Sequence, residues 1–235
     1  MVPATMGLNA PRSSADGPVA TQIWDGWYER QWFADEVVVD YIATQRGADR
    51  ARIAAQIVKA DAGASYCKTF DIDLGALVPT VATPGDPRNG IPLAHLRQQH
   101  GKVKVNIAYG GSCTGGKKAD MDMYASVVRK ALARGRTLQD VKLYIQFGSQ
   151  RIRAYAEQMG YVDLFERAGV ELIDPSCGAC IKAGPGVSFR PDEVTISAIN
   201  RNFPGRSGPG QVYLGSPLVV AASAYLGYVG GPDEL

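Results

Sequence analysis

Residues 102–118 read KVKVNIAYGGSCTGGKK, and the reading of this stretch decides the fold. In KVKVNIAY, apolar residues alternate with polar or small ones, which predicts a strand, and GGSCTGG predicts a tight turn at its end. The following KADMDMYASVVRKALARG (118–135) has apolar residues at helical spacing and stops at Gly135. The same unit then recurs. VKLYIQF (141–147) is a second strand, followed by GSQ and one long helix, RIRAYAEQMGYVDLFERAG (151–169). VELID (170–174) is a third strand with PSCGACIKAGPG (175–186) as its loop. EVTISAI (193–199) is a fourth, with NRNFPGRSG (200–208) after it, and QVYLG (211–215) leads into a last helix, PLVVAASAYLGYV (217–229).

Strands alternating with helices imply an α/β fold, a three-layer sandwich with a mainly parallel sheet covered on both faces. In such a sheet every loop that follows a strand emerges at the carboxyl edge, where open α/β sheets bind their ligands. Glycines in those loops let the backbone approach closely. Three loops far apart in sequence can therefore build one site.

Upstream the pattern is looser. Residues 1–22 are rich in Pro, Gly, Ser and Ala, and Trp24, Trp27, Tyr28, Trp32 and Phe33 then form an aromatic group suited to docking. ADEVVVDYIATQRG (34–47) and DRARIAAQIVKADAG (49–63) read as two amphipathic helices. YCKTFDIDLGAL (66–77) suits an edge strand, and VPTVATPGDPRNGIP (78–92) a long ordered loop. This divides the chain into a lead-in segment, 1–68, and an α/β domain, 69–235.

Composition narrows the function classes. A net charge of +2 offers no basic surface for nucleic acid or anionic lipid. No run of about 18 apolar residues is present to span a membrane, and the start lacks the basic-then-apolar order of a signal peptide. Four cysteines in 235 residues are too few for a disulfide scaffold, so a cytoplasmic protein with reduced thiols is expected.

Three of those cysteines, Cys113, Cys177 and Cys180, lie in post-strand loops; Cys67 lies apart and reads as a small buried hydrophobe. Spacing leaves several roles open for the three. CGAC resembles a redox dithiol, but IKAGPG after it cannot build the long helix such motifs open. A structural zinc site wants four ligands, and neither His95 nor His100 has a partner at ligand spacing. An iron–sulfur cluster held by three thiolates would keep one iron open as a Lewis acid. Three cysteines packed in a core is the plain alternative.

The neighbouring residues discriminate among these. GGSCTGGKKAD (110–120), DPSCGACIKAGPG (174–186) and SAINRNFPGRSG (197–208) together resemble the aconitase and isopropylmalate dehydratase family of hydro-lyases. That family shows Gly-Ser-Cys-Thr, Pro-x-Cys-x-x-Cys and Asn-Arg-Asn-Phe-x-Gly-Arg in the same order. LGALVPTVATPGDPRNGIP, FGSQRIRAYAEQMGY and GSPLVVAASAYLG are further echoes, so the resemblance covers most of residues 70–230.

The resemblance implies the iron–sulfur third domain of that family. Cys113, Cys177 and Cys180 would ligate a 4Fe-4S cluster with Asn200 beside it, and Arg201 and Arg206 would bind the carboxylates of a di- or tricarboxylic hydroxy acid. Planar guanidinium forks suit such carboxylates. The chain departs from the family at Gly115, where Asn is usual, at Lys117, at Ser176 in place of Gly and at Phe147 in place of Pro. The family's acid–base histidines and its catalytic serine belong to other domains, and no Asp-Ser-His-Thr stretch is present here. Asp120 and Asp122 read as partners of a helix start and not as a base. The expectation is a component or fragment of a hydro-lyase with no catalytic acid or base of its own, completed by partner chains. The alternative is a non-catalytic iron–sulfur binding, sensing or assembly module.

Overall fold

Asp49 organises the first described part of the chain. Its carboxylate accepts hydrogen bonds from the amides of Ala51 and Arg52, capping a short helix. The computed structural model describes residues 36–58, 61, 63, 65, 73–138 and 140–235. Cys67, the aromatic group at 24–33 and most of the segment 66–77 lie outside them. The chain divides into two compact units, 1–76 and 77–235.

In the first unit, α1 (Glu36–Arg46) and α2 (Arg50–Ala54) pack together, and Arg50 pairs with Glu36 and Asp40. The second helix is far shorter than the sequence pattern of 49–63 implies. None of its residues is buried, and a helix of so few turns with so little burial does not propagate in water. Residues 74–76 form a 3-10 turn where the end of an edge strand was expected.

The second unit holds the sheet. Its elements are β1 (Thr80–Ala82), β2 (Gly90–Pro92), α3 (Leu93–His100), β3 (Ile107–Gly111) and α4 (Ser112–Gly115). They continue with α5 (Lys118–Ala133), β4 (Lys142–Gln146), α6 (Gln150–Gln158), α7 (Tyr161–Arg167) and β5 (Glu171–Ile173). The last are β6 (Val194–Ser197), β7 (Gln211–Leu214) and α8 (Pro217–Leu226). The sheet order is β2-β1-β7-β6-β3-β4-β5, and the five strands from β7 to β5 run parallel. The stretch 78–92, which the sequence presents as a loop, is instead the antiparallel hairpin β1–β2, added to the edge of β7. Its short strands flank the Pro-Gly turn that disguised them.

Both faces of the sheet are covered, but unequally. On one, α5, α7 and α8 pack over Ala108, Leu143, Ile145 and Ile196. Helix α8 is buried from Val219 to Tyr225, because Ala221, Ala222, Ser223 and Ala224 let its backbone come close to α5 and β3. On the other, Ile107, Tyr109 and Tyr144 are covered by a thin layer that includes Ala179, Cys180, Val187 and Ile199. Residues 151–169 form two helices and not one, because Gly160 turns into the left-handed region with φ 68°. Pro217 sits at the first turn of α8, and the helix stops at Leu226, short of the expected Val229, because Gly227 turns left-handed with φ 76°. Among the described residues no helix is long and apolar enough to cross a membrane.

The turn before β6 depends on one carboxylate. Glu193 accepts the amides of Arg190 and Phe189, which hold its carboxyl below the usual glutamate range. The proton is therefore bound more weakly in the folded chain than in the unfolded one. The stability this gives is present above the ordinary carboxylate range of about 4.3 and is lost as pH falls through the lower folded value. Glu193→Ala is expected to cost about 1 kcal/mol at neutral pH, after solvent screening of a side chain near the surface. Thermal melts of both proteins across the acid range should converge at low pH; a difference independent of pH would contradict this account.

Candidate functional site at the carboxyl edge of the sheet

Cys113 sits on the one-turn helix α4, which springs directly from β3. The turn is tight: Gly111 has φ 96°, and a Cβ there would lie 1.9 Å from the carbonyl oxygen of Gln146 on β4. Ser112 follows with φ 79°, a strained conformation for a residue with a side chain. What holds it is the buried Tyr124 of α5. Its hydroxyl accepts the Gly111 amide at 2.8 Å and donates to the Gly115 carbonyl at 2.9 Å, closing the turn that carries Cys113. Burial pushes this phenol far above its ordinary pKa, so it remains a neutral donor.

Cys177 and Cys180 follow β5. Gly178–Ile181 is a 3-10 turn in which the Cys180 amide donates to the Cys177 carbonyl at 3.1 Å. The turn lies on Tyr109: a Cβ on Gly178 would meet its hydroxyl at 2.6 Å, and one on Gly186 its ring at 2.2 Å. Arg153 of α6 pairs with Asp174 at the start of the loop. Burial pushes Tyr109 up to about 12.

The third loop follows β6. Asn202 is buried and donates to the carbonyls of Thr83 at 2.7 Å and Val212 at 3.0 Å, tying the loop to the β1–β2 hairpin and to β7. Arg206 donates to the side-chain oxygen of Asn200 at 3.3 Å, and its Nε is buried without an acceptor. Asn200, Arg201 and Arg206 are all half-buried.

The three loops leave parallel strands on the same edge of the sheet, and groups from the other two act on Cys180. Burial raises its thiol pKa; the Arg206 guanidinium opposes this, nearby Cys113 adds to the rise, and the Ser112 hydroxyl opposes it. Groups from all three loops thus act on one sulfur. Cys113, Cys177 and Cys180 are free thiols, the first two exposed and the third half-buried. Among the described residues no three His, Cys, Asp or Glu side chains are grouped to hold a single metal ion.

The aspartates after Cys113 are occupied. Asp120 accepts the Lys117 amide at 2.9 Å at the start of α5, and Asp122 accepts the hydroxyls of Tyr155 and Tyr161. His95 lines a separate groove of about 650 Å³ beside Val78, Leu93 and Glu234. Sequence reasoning missed Tyr124, Tyr109 and Gln146, which touch the loops from beneath and whose only sequence signal was a polar group inside an apolar pattern; it quoted Asn202 within a motif but gave it no role.

A mainly parallel α/β sheet whose post-strand loops bring thiols and guanidinium groups to its carboxyl edge places them where open α/β folds bind ligands. The profile of the aconitase family (aconitate hydratase) matches residues 31–227. The chain is 35% identical over 204 residues to the 3-isopropylmalate dehydratase large subunit of Acetivibrio thermocellus, covering 86% of this chain and 45% of that protein. It is 37% identical over 174 residues to the same subunit of Sulfurimonas denitrificans, covering 73% and 40%. The mitochondrial homoaconitase of Mycosarcoma maydis is 37% identical over 182 residues, covering 76% and 24%. The chain belongs to the aconitase family, and it spans less than half the length of these relatives.

Gly115 now has a structural reason. A Cβ there would lie 2.7 Å from the Ala198 carbonyl oxygen and 3.0 Å from the Ala198 Cβ. The Cys113 turn is packed against the end of β6 with no room for the usual asparagine. Gly115→Asn is expected to destabilise the chain by about 1–3 kcal/mol through overpacking. Tyr124→Phe should cost a similar amount, about 1–3 kcal/mol, because two backbone groups lose their buried partner. Denaturant unfolding of both variants measures this; an unchanged midpoint would contradict the packing described.

Proposed function

We propose that this chain carries the cluster- and carboxylate-binding part of an iron–sulfur hydro-lyase acting on a di- or tricarboxylic hydroxy acid. The observation that carries the reading is that the parallel strands β3, β5 and β6 end at one edge of the sheet, where the loops that follow them bear Cys113, Cys177 with Cys180, and Asn200 with Arg206. Three free thiols on loops at one sheet edge support a 4Fe-4S cluster as the group they would hold. Each thiolate of a cubane binds a different iron, so its ligands stand further apart than those of one ion, and the free, accessible thiols supply a suitable donor set. Cys113, Cys177 and Cys180 would hold the cluster, with Asn200 beside it. When bound, such a cluster supplies Lewis acidity that draws off a hydroxyl group.

The chain's own residues orient and bind. Arg206, anchored to Asn200 and carrying a buried Nε without an acceptor, is suited to a substrate carboxylate, and Arg201 lies in the same loop. Dehydration also needs a base placed beside the proton to be removed. At this edge Asp120 and Asp122 are already engaged, so the base is assigned to partner domains or chains. Two of the named relatives are large subunits of 3-isopropylmalate dehydratases, which supports completion by a second chain. Reduced thiols of this kind belong in a reducing compartment such as the cytoplasm.

Anaerobic reconstitution with iron and sulfide, followed by metal counting, tests the ligand set. Alanine at Cys113, Cys177 or Cys180 should each sharply reduce bound iron, and full retention in any of them would remove that ligand. Addition of hydroxy-dicarboxylates should change the spectrum of the loaded chain. No change at millimolar ligand would favour a non-catalytic cluster-binding module, to which the missing side chain at Gly115 would then point. Arg206→Ala should weaken that response about 10- to 100-fold, the loss of hydrogen bonds to a charged group. Robust turnover by the chain alone would refute the assignment of the base to a partner.

A further inference from the structure

Gln146 is the last residue of β4 and is fully buried, an unusual place for a primary amide. In the sheet it stands between the two strands that deliver cysteines. It pairs with Gly111 of β3, next but one before Cys113, and with Ile173 of β5, four residues before Cys177.

Its backbone and side chain work in opposite directions. The carbonyl oxygen abuts the Cys113 turn so closely that a Cβ would lie 1.9 Å away at Gly111 and 2.8 Å away at Gly116. The side chain reaches the Cys177 loop. Its Nε2 donates to the Ser176 carbonyl at 2.9 Å and the Ser176 hydroxyl at 2.6 Å, with the Asp174 carbonyl at 3.3 Å. Its Oε1 accepts the Tyr109 hydroxyl at 2.9 Å. Only this orientation of the amide works, because two carbonyl oxygens face the nitrogen and neither can donate. Tyr109 in turn supports Gly178 and Gly186 on the far side of the same loop.

We propose that Gln146 is a positioning residue that fixes the separation between the Cys113 turn and the Cys177–Cys180 turn, and so the width of the cluster site. The proposal rests on the reading of these thiols as cluster ligands. It adds a residue that touches no ligand and acts through the two turns. A methionine would fill the same volume and keep the backbone contact with Gly111, but it would leave the carbonyls of Ser176 and Asp174 and the Tyr109 hydroxyl without the amide. The Cys177 loop would then be free to drift while the Cys113 turn stayed in place.

The test compares the full chain with Gln146→Met and Tyr109→Phe, and with Phe165→Leu in the helical layer as a control for lost stability. After reconstitution with iron and sulfide, release of iron to a chelator is followed together with the electron paramagnetic resonance line shape of the reduced cluster. Gln146→Met is expected to release iron about tenfold faster with an altered line shape, the usual scale for partners that orient metal ligands. Tyr109→Phe should shift both in the same direction, and Phe165→Leu neither. Wild-type release and line shape in both of the first two variants would overturn the proposal. The Tyr109→Phe variant loses only a hydroxyl and keeps the test intact if Gln146→Met fails to fold. A wild-type chain that takes up no iron would overturn the functional reading instead. The positioning role is then decided on the metal-free chain by alkylation of Cys177 and amide exchange at 178–182, where faster rates in the variants support it and unchanged rates reject it.

Discussion

The end of β3 lies so close to the end of β4 that no side chain fits between them. Gly111 presses on the Gln146 carbonyl, and Gly116 on the same oxygen and on the amide of Gly148. With two glycines in contact with one strand end, the intervening Ser112-Cys113-Thr114-Gly115 is forced into a single tight turn. Ser112 takes a left-handed conformation there, which costs of the order of 1–3 kcal/mol and persists only where the surroundings over-determine it. The Tyr124 hydroxyl supplies that determination, bridging both ends of the turn from the helix it leads into. A thiol is thereby held at a fixed point above the sheet edge.

The unequal cover of the sheet serves the same end. The helical face, with α5 and α8 packed through small residues, carries most of the apolar burial and with it most of the stabilisation. The opposite face bears only a thin layer folded over Tyr109 and Tyr144. A thick layer there would bury Cys177 and Cys180. The thin one leaves Cys177 exposed and Cys180 half-buried, close enough to Arg206 and Cys113 for their charges to matter. Buried hydroxyl and amide groups, Tyr109 and Gln146 beneath the Cys177 loop and Asn202 within the loop after β6, replace the apolar contacts that a thicker layer would have supplied. Polar groups at such depth are costly unless paired, so the hydrogen bonds of Tyr109 and Gln146 favour one arrangement of the loop above them.

Much of the α/β framework was legible along the chain, because period-two strands and period-three-to-four helices leave clear marks on a sequence. Strands β4 to β7 and helix α5 follow the pattern closely, whereas β3 begins at Ile107 and not at Lys102, and α8 stops at Leu226. The exceptions share a cause. The β1–β2 hairpin has strands of three residues, too short to show alternation beside prolines and glycines. Gly160 breaks a continuous amphipathic pattern, since the periodicity of side chains says nothing about a left-handed backbone angle. Helix α2 is shorter than its pattern because propensity with little burial does not sustain a short helix.

The sequence by itself determined the chemistry that is available: three thiols, two guanidinium groups and an amide, each in a loop after a strand, with the motif order of one family. Those are local facts, carried by residue type and spacing. Only the tertiary structure decided which groups face each other, why residue 115 is glycine, and which buried polar residues fix the loops. Close approach is a property of two segments at once. Tyr124 meets its turn from a helix, Gln146 reaches its loop across a strand, and Ala198 meets Gly115 from the end of β6, none of which either partner's own sequence can express.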